Sequence, residues 1–80
     1  MPNPSLHRQS PQLIAFGEAV RQARKSQGIS QEKLALLAEV DRGYLGRVER
    51  GDNNVALLTA FKIAQALNSS VAQLMLDAKL

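Results

Sequence analysis

Residues 28–51 read GISQEKLALLAEVDRGYLGRVERG, and this stretch decides the fold. Ser30 stands where a serine hydroxyl accepts from the free amides of a first helical turn, so it predicts a helix beginning at Gln31. Glu32 puts a negative charge in that first turn, where the helix dipole favours one. Lys33 occupies the position a capping box would give to Glu, so no box forms here. Leu34, Ala35 and Ala38 repeat at helical spacing and turn inward, which carries the helix to Ala38. Glu39-Val40-Asp41 is a tight turn. Asp41 caps a further helix from Arg42 to Arg50, with Leu45 and Val48 on its inner face, and Gly51 ends it in the left-handed conformation.

The same reading extends in both directions. Ser10-Pro11 opens an earlier helix, with Ser as cap and Pro in the first turn, where a missing N–H costs nothing. Its inner stripe is Leu13, Phe16, Val20 and Ala23, and Gly28 closes it. Downstream, Asp52-Asn53-Asn54 is a polar loop. A fourth helix over residues 57–67 is expected to bury Leu57, Phe61, Ala64 and Leu67. Val55-Ala56 ahead of it supplies no good cap, and Asn68 takes the left-handed position after it. Ser70-Val71-Ala72-Gln73 has the form of a capping box and opens a fifth helix that carries Leu74 and Met75. No strand alternation, repeat or low-complexity tract interrupts the series. Residues 1–10 hold two prolines among polar side chains and read as a flexible arm, leaving residues 11–80 as a single domain.

Composition removes several classes of function. The chain has 80 residues, 45% hydrophobic and 21% charged, which is ordinary for a folded domain with a modest core. It has no cysteine, which excludes disulfides, a thiolate zinc site and a cysteine nucleophile, and it fits a reducing cytoplasm. The single histidine, His7, lies in the polar arm without the partners that a metal site or a catalytic triad requires, and reads as a solvated tail residue. There are no paired catalytic carboxylates and no glycine-rich phosphate loop, so an enzyme is not expected, nor is a cofactor or small-molecule ligand. No apolar run is long enough to span a bilayer, and the N-terminus lacks the apolar centre of a signal peptide. The formal net charge of +3 points mildly to nucleic acid, because Lys and Arg displace the counterions condensed on phosphate.

From Gly28-Ile29-Ser30-Gln31-Glu32-Lys33-Leu34-Ala35, through Val40-Asp41-Arg42-Gly43-Tyr44-Leu45, to Val48-Glu49-Arg50-Gly51, the chain resembles the Xre family of helix-turn-helix regulators, the Cro/C1 type. The likeness runs over roughly residues 13–75. Asp-Arg-x-Tyr-Leu followed by Val-Glu-Arg-Gly is most similar to the controller proteins of restriction–modification systems, though other repressors and antitoxins share it. The resemblance implies an all-α, compact five-helix bundle of the lambda-repressor-like DNA-binding type. The residue types agree: Ala35 is small where the two helices of the motif touch, and Leu34, Ala38, Val40, Leu45 and Val48 fill its inward positions. Two departures stand out. Glu39 occupies a turn position that favours glycine, because the backbone there takes a positive φ, at a cost on the order of 1 kcal/mol. Val55-Ala56 replaces the usual Pro and Ser or Thr before the fourth helix.

In that fold the helix beginning at Arg42 enters the major groove. Periodicity puts Arg42, Gly43, Gly46 and Arg47 on its outward face, opposite Leu45 and Val48. Arg42 and Arg47 are the candidates for base readout, since Arg donates two hydrogen bonds to guanine O6 and N7. Gly43 and Gly46 suggest a close backbone approach or room for a thymine methyl. Phosphate contacts are expected from Ser30, Gln31, Tyr44, Asn53 and Asn54, with Gln31 assigned by the resemblance and by its place at a helix N-terminus. Tyr44 also reads as a partly buried packing residue, and Arg50 as either a phosphate contact or a solvated helix end. Arg8 reads as part of a tail, with a minor-groove contact as the alternative. The resemblance makes Arg24 and Glu49 a structural ion pair.

One recognition helix covers too few base pairs to be specific in a genome, so the expected partner is double-stranded DNA with a dyad-symmetric operator, bound by a homodimer. Val71, Met75, Leu76 and Leu80 exceed what one inner face needs and are the expected dimer surface. Leu36 and Leu58 stand where polar residues are expected, and either extend the core or mark a second protein contact. The function that follows is a cytoplasmic, sequence-specific transcriptional regulator, with control of its own gene as one expected mode. The alternative is an antitoxin-type or other protein-interaction module on the same fold, which would tolerate loss of Arg42 and Arg47.

Overall fold

A computed structural model describes residues 9–80; the segment ahead of them, with His7 and Arg8, lies outside the described residues. Among the described residues five helices and no strand follow one another: α1 (Pro11–Ser26), α2 (Gln31–Ala38), α3 (Arg42–Arg50), α4 (Leu57–Ala66) and α5 (Val71–Asp77). Local chemistry sets these bounds. Ser10, Ser30, Asp41 and Ser70 each lie in extended backbone and accept a bond from the amide three residues on, which starts α1, α2, α3 and α5. Ala56 cannot do this, and α4 begins with no side-chain cap. Glu39 adopts the left-handed conformation at φ 59°, Asn68 does so at φ 54° and Gly51 at φ 79°, so each chain reversal sits where a cap was expected.

α1 packs on α3 and α5, α2 packs on α3 and α4, and α4 meets α5. Their shared core is Val20, Leu34, Leu45, Val48, Ile63, Leu67 and Leu74, all with under 2% of their surface exposed or at that limit. The α1–α3 crossing is the closest. A Cβ on Gly17 would lie 2.2 Å from the carbonyl oxygen of Val48 and 2.7 Å from that of Glu49. The two helices therefore meet backbone to backbone, and no larger residue fits without separating them.

α4 corrects the sequence reading. Ala60, Ile63, Ala64 and Leu67 face the core, while Leu57 and Phe61 are exposed at 65% and 47%. Residues 57–67 are apolar nearly all round, so helical spacing fits two faces equally well. The face with two alanines wins because it lets α4 approach closely. Leu36 and Leu58 are exposed at 71% and 69% and do not extend the core. At α5 only half of the capping box forms: Ser70 caps the Gln73 amide, but the Gln73 side chain donates to Asp77 at 2.8 Å.

A buried charge cluster fastens the three helices around the motif. Arg24 Nε donates to Glu49 Oε2 at 2.7 Å and Arg24 Nη2 to Oε1 at 3.1 Å. Arg24 Nη1 reaches the Ile29 carbonyl at 3.0 Å, and Gln31 Nε2 donates to Glu49 Oε1 at 2.9 Å. The Glu49 side chain is only 2% exposed and that of Arg24 11%. A carboxylate so placed is tolerable only because every bond around it is made.

Two stability measurements test this packing. Gly17→Ala should destabilise by about 1–3 kcal/mol or more and lower the thermal midpoint by roughly 10 °C, followed by circular dichroism. An unchanged midpoint would mean the α1–α3 crossing can open freely. Arg24→Met should cost about 3–5 kcal/mol, because it strands the Glu49 charge. The double variant with Glu49→Met should cost clearly less than the sum of the two singles in urea denaturation, whereas strict additivity would mean that the pair is not coupled.

Candidate nucleic-acid interface

The outer side of α3 is a cationic ridge. Asp41 fixes its start, with Oδ2 accepting from the Tyr44 amide at 3.3 Å. Leu45, Val48 and Glu49 turn inward, which leaves Arg42, Gly43, Arg47 and Arg50 exposed along the other side. Arg42 makes no hydrogen bond or ion pair among the described residues. Arg50 donates from Nε to Asp52 Oδ2 at 3.1 Å while most of its side chain remains in solvent. Gly46 is not part of this ridge. It is buried at the α2–α3 crossing, where a Cβ would lie 3.3 Å from Arg50 Nη1 and 3.7 Å from Gln31 Oε1. Those two side chains close over it, so its small size serves the crossing.

Arg47 is held on several sides. The Asn53 amide, in the orientation that satisfies both its neighbours, accepts from Arg47 Nε at 3.2 Å and donates to the Asp52 carbonyl at 3.1 Å. The Tyr44 ring lies 5.9 Å from the guanidinium carbon, within cation–π range. Gly43 leaves space beside Arg47 Nη1, which would sit 3.7 Å from a Cβ there. Tyr44 itself is half-buried against the core, and Asn53 is half-buried in the loop after α3.

The other expected phosphate residues cluster near the same side. Ser30 Oγ accepts from the Lys33 amide at 3.0 Å in capping α2, a bond that leaves the hydroxyl hydrogen available to donate. Gln31 starts α2 and spends its side-chain amide on Glu49. Asn54 is exposed in the α3–α4 loop. An open polar groove lies between α1, the start of α2 and the end of α3, lined by Gln9, Arg21, Gln31, Glu49 and Arg50 among others.

Gln9 has a role that the sequence did not signal. Its backbone amide donates to the Gly51 carbonyl at 2.6 Å, and its side-chain amide donates to the Arg50 carbonyl at 3.2 Å and to the Asp52 carboxylate. The residue just ahead of α1 is thus stapled to the end of α3. Nothing in a single polar residue two positions ahead of a proline announces a contact more than forty positions away.

Val71, Met75 and Leu80 line an apolar groove of about 190 Å³ together with Leu13 and Leu57. Leu76 lies outside that groove and is 69% exposed. No group of three or more His, Cys, Asp or Glu residues able to hold a metal occurs among the described residues, and none of their helices is long and apolar enough to cross a membrane.

The helix-turn-helix family model matches residues 20–74. The control protein C.SmaI of Serratia marcescens is 45% identical over 60 residues, which cover 75% of this chain and 71% of that protein. The control protein C.BamHI of Bacillus amyloliquefaciens is 46% identical over 55 residues, 68% of each chain. In structure the chain is similar to the restriction-modification controller protein C.AhdI from Aeromonas hydrophila, with a TM-score of 0.76 at 45% identity over 78% of this chain and 94% of that one. These relatives are regulators rather than enzymes. An arginine-lined helix capped at Asp41, braced through Glu49 and matched over most of its length to control proteins places the chain in the Cro/C1-type helix-turn-helix family of DNA-binding transcriptional regulators.

Proposed function

We propose that this protein is a cytoplasmic controller-type regulator that binds a dyad-symmetric DNA operator as a homodimer, with α3 in the major groove, and that it acts on the promoter of its own gene. The exposed arginine ridge of α3 is the observation that carries the reading. Arg42 and Arg47 read base edges, and Gly43 lets the helix backbone come close to them. The first turn of α2, with Ser30 and Gln31, presents amide N–H groups to a phosphate, and Asn54 meets the backbone from the far side of the groove. These phosphate contacts set register, while discrimination comes from the arginines.

Dimerisation uses the apolar surface around α5. Met75, Leu76 and Leu80 of the C-terminal segment, with Val71 and the exposed Leu57 of α4, form an apolar surface that a second copy would cover. A two-fold axis there would present two α3 helices to half-sites about 34–36 Å apart.

Fluorescence anisotropy against duplex from upstream of its own gene, at ~150 mM salt and with competitor DNA, tests the DNA reading. Arg42→Ala and Arg47→Ala should each weaken operator binding by roughly tenfold or more while melting stays unchanged. Tolerance of both changes would sink it and favour a protein-interaction module. Light scattering tests the dimer: the protein should elute as a dimer, and Leu76→Glu with Leu80→Glu should convert it to a folded monomer. A clean wild-type monomer at tens of micromolar would rule the stable dimer out.

A further inference from the structure

We infer that Asn53 is a specificity-positioning residue: it grips Arg47 at Nε and so aims the two terminal nitrogens of that arginine at a base edge. The inference rests on the reading of Arg47 as a base-contacting residue and goes beyond it. Asn53 is then no phosphate contact, although its place in a polar loop beside the recognition helix suggests one.

The chemistry follows from the shape of the guanidinium. Arg carries five N–H donors in a fixed planar fork, one on Nε and two on each terminal nitrogen. Guanine presents O6 and N7 as a pair of acceptors in the major groove. A fork that meets them end-on uses Nη1 and Nη2 and leaves Nε over. In this protein Nε is the nitrogen already taken, at 3.2 Å from the Asn53 amide oxygen in the amide orientation that satisfies both of its neighbours. The Tyr44 ring flanks the guanidinium at 5.9 Å, and the absent side chain of Gly43 leaves room beside Nη1. The fork is therefore held at its base, while its terminal nitrogens make no hydrogen bond or ion pair among the described residues.

Asn53 can hold Arg47 only if Asn53 is itself fixed, and the loop supplies that. Its amide nitrogen donates to the Asp52 carbonyl at 3.1 Å. The Asp52 backbone amide donates to the Arg47 carbonyl at 2.8 Å. The Asp52 carboxylate accepts from Arg50 Nε at 3.1 Å and from the Gln9 side chain, while the Gln9 amide donates to the Gly51 carbonyl. The loop is thus tied to α3 from one side and to the start of α1 from the other. A free arginine would have to give up its rotamer freedom on binding, for the right base and the wrong base alike. A pre-aimed one avoids that cost only where the acceptors lie along its direction, whereas a base that needs another rotamer must first break the Asn53 bond, and that penalty on the wrong base is what raises discrimination.

The test separates positioning from phosphate contact. Duplexes selected by the wild-type protein from a random library serve as operator, and a scrambled duplex of equal length as non-specific DNA. Affinity for both is measured across a salt series for Asn53→Ala, Asn53→Asp, Asn54→Ala and Arg47→Ala, with thermal melts as folding controls. Asn53→Ala should lower the ratio of operator to non-specific affinity by roughly threefold to tenfold, a smaller version of the Arg47→Ala effect, with the salt slope unchanged. Asn53→Asp keeps an acceptor in the same place. It should retain most of the wild-type ratio even as its charge weakens binding to both DNAs. Asn54→Ala should weaken both DNAs together and reduce the salt slope. If Asn53→Ala behaves like Asn54→Ala, or leaves the ratio unchanged while Arg47→Ala collapses it, the positioning role is overturned. If Arg47→Ala itself leaves the ratio intact, the base-reading assignment falls, and the inference with it.

Discussion

The Glu49 carboxylate is the point on which the motif depends. It belongs to α3, yet its partners come from α1 and α2: two nitrogens of Arg24 and the side-chain amide of Gln31. Arg24 in turn holds the Ile29 carbonyl, so the connection between α1 and α2 joins the same cluster. Apolar contact alone would let short helices slide against one another, since dispersion and area burial are not directional. Hydrogen bonds around a buried charge are directional, and an unmet one is costly. The cluster therefore fixes the angle between α2 and α3. The Gly17 crossing then sets the distance of α3 from α1, because there the α1 backbone lies against the carbonyls of Val48 and Glu49 themselves.

Much of this was legible in the sequence, and what was legible was local. Ser10, Ser30, Asp41 and Ser70 act within three residues of themselves, so their cap bonds follow from neighbours that the sequence shows directly. The positive φ of Glu39 follows from turn geometry despite its side chain. The inner face of α3 was also plain, since Leu45 and Val48 are the only large aliphatic residues between flanking charges. What the sequence hid was set by distant partners. Gly17 looks like a mild helix weakener until α3 is laid against it. Gly46 sits at helical spacing on the outward side, and only the reach of Gln31 and Arg50 over it shows that it is covered. On α4 the burial of Ala64 and Leu67 was legible, but Leu57 and Phe61 are at least as apolar as Ala60 and Ile63, and composition cannot say which flank another helix will cover.

The exposed apolar residues divide by position in the same way. Leu57, Met75 and Leu80 border one groove near the chain's C-terminal end, whereas Leu36 stands on α2, away from that groove. A dispersed set of exposed leucines is ordinary for a small domain, because there is too little polar surface to cover it. A set that converges on a concave site is different, since one complementary surface can bury it all at once. Convergence, rather than the number of exposed apolar residues, separates the C-terminal face from Leu36.

The arginines of α3 invite a parallel distinction. Arg42, Arg47 and Arg50 all project from one helix and carry the same charge, so a count of positive residues treats them as equivalent. Their surroundings do not. Arg42 is unrestrained among the described residues, Arg50 is turned to Asp52, and Arg47 is braced by Asn53 and Tyr44. An arginine side chain carries about 2 kcal/mol of rotamer freedom. Where that freedom is already lost in the free protein, binding need not remove it, and the direction of the fork is set before DNA arrives. Charge draws all three arginines to the duplex without regard to sequence. Restraint is what distinguishes one of them, and it comes from a loop whose own anchor, Gln9, lies just ahead of α1.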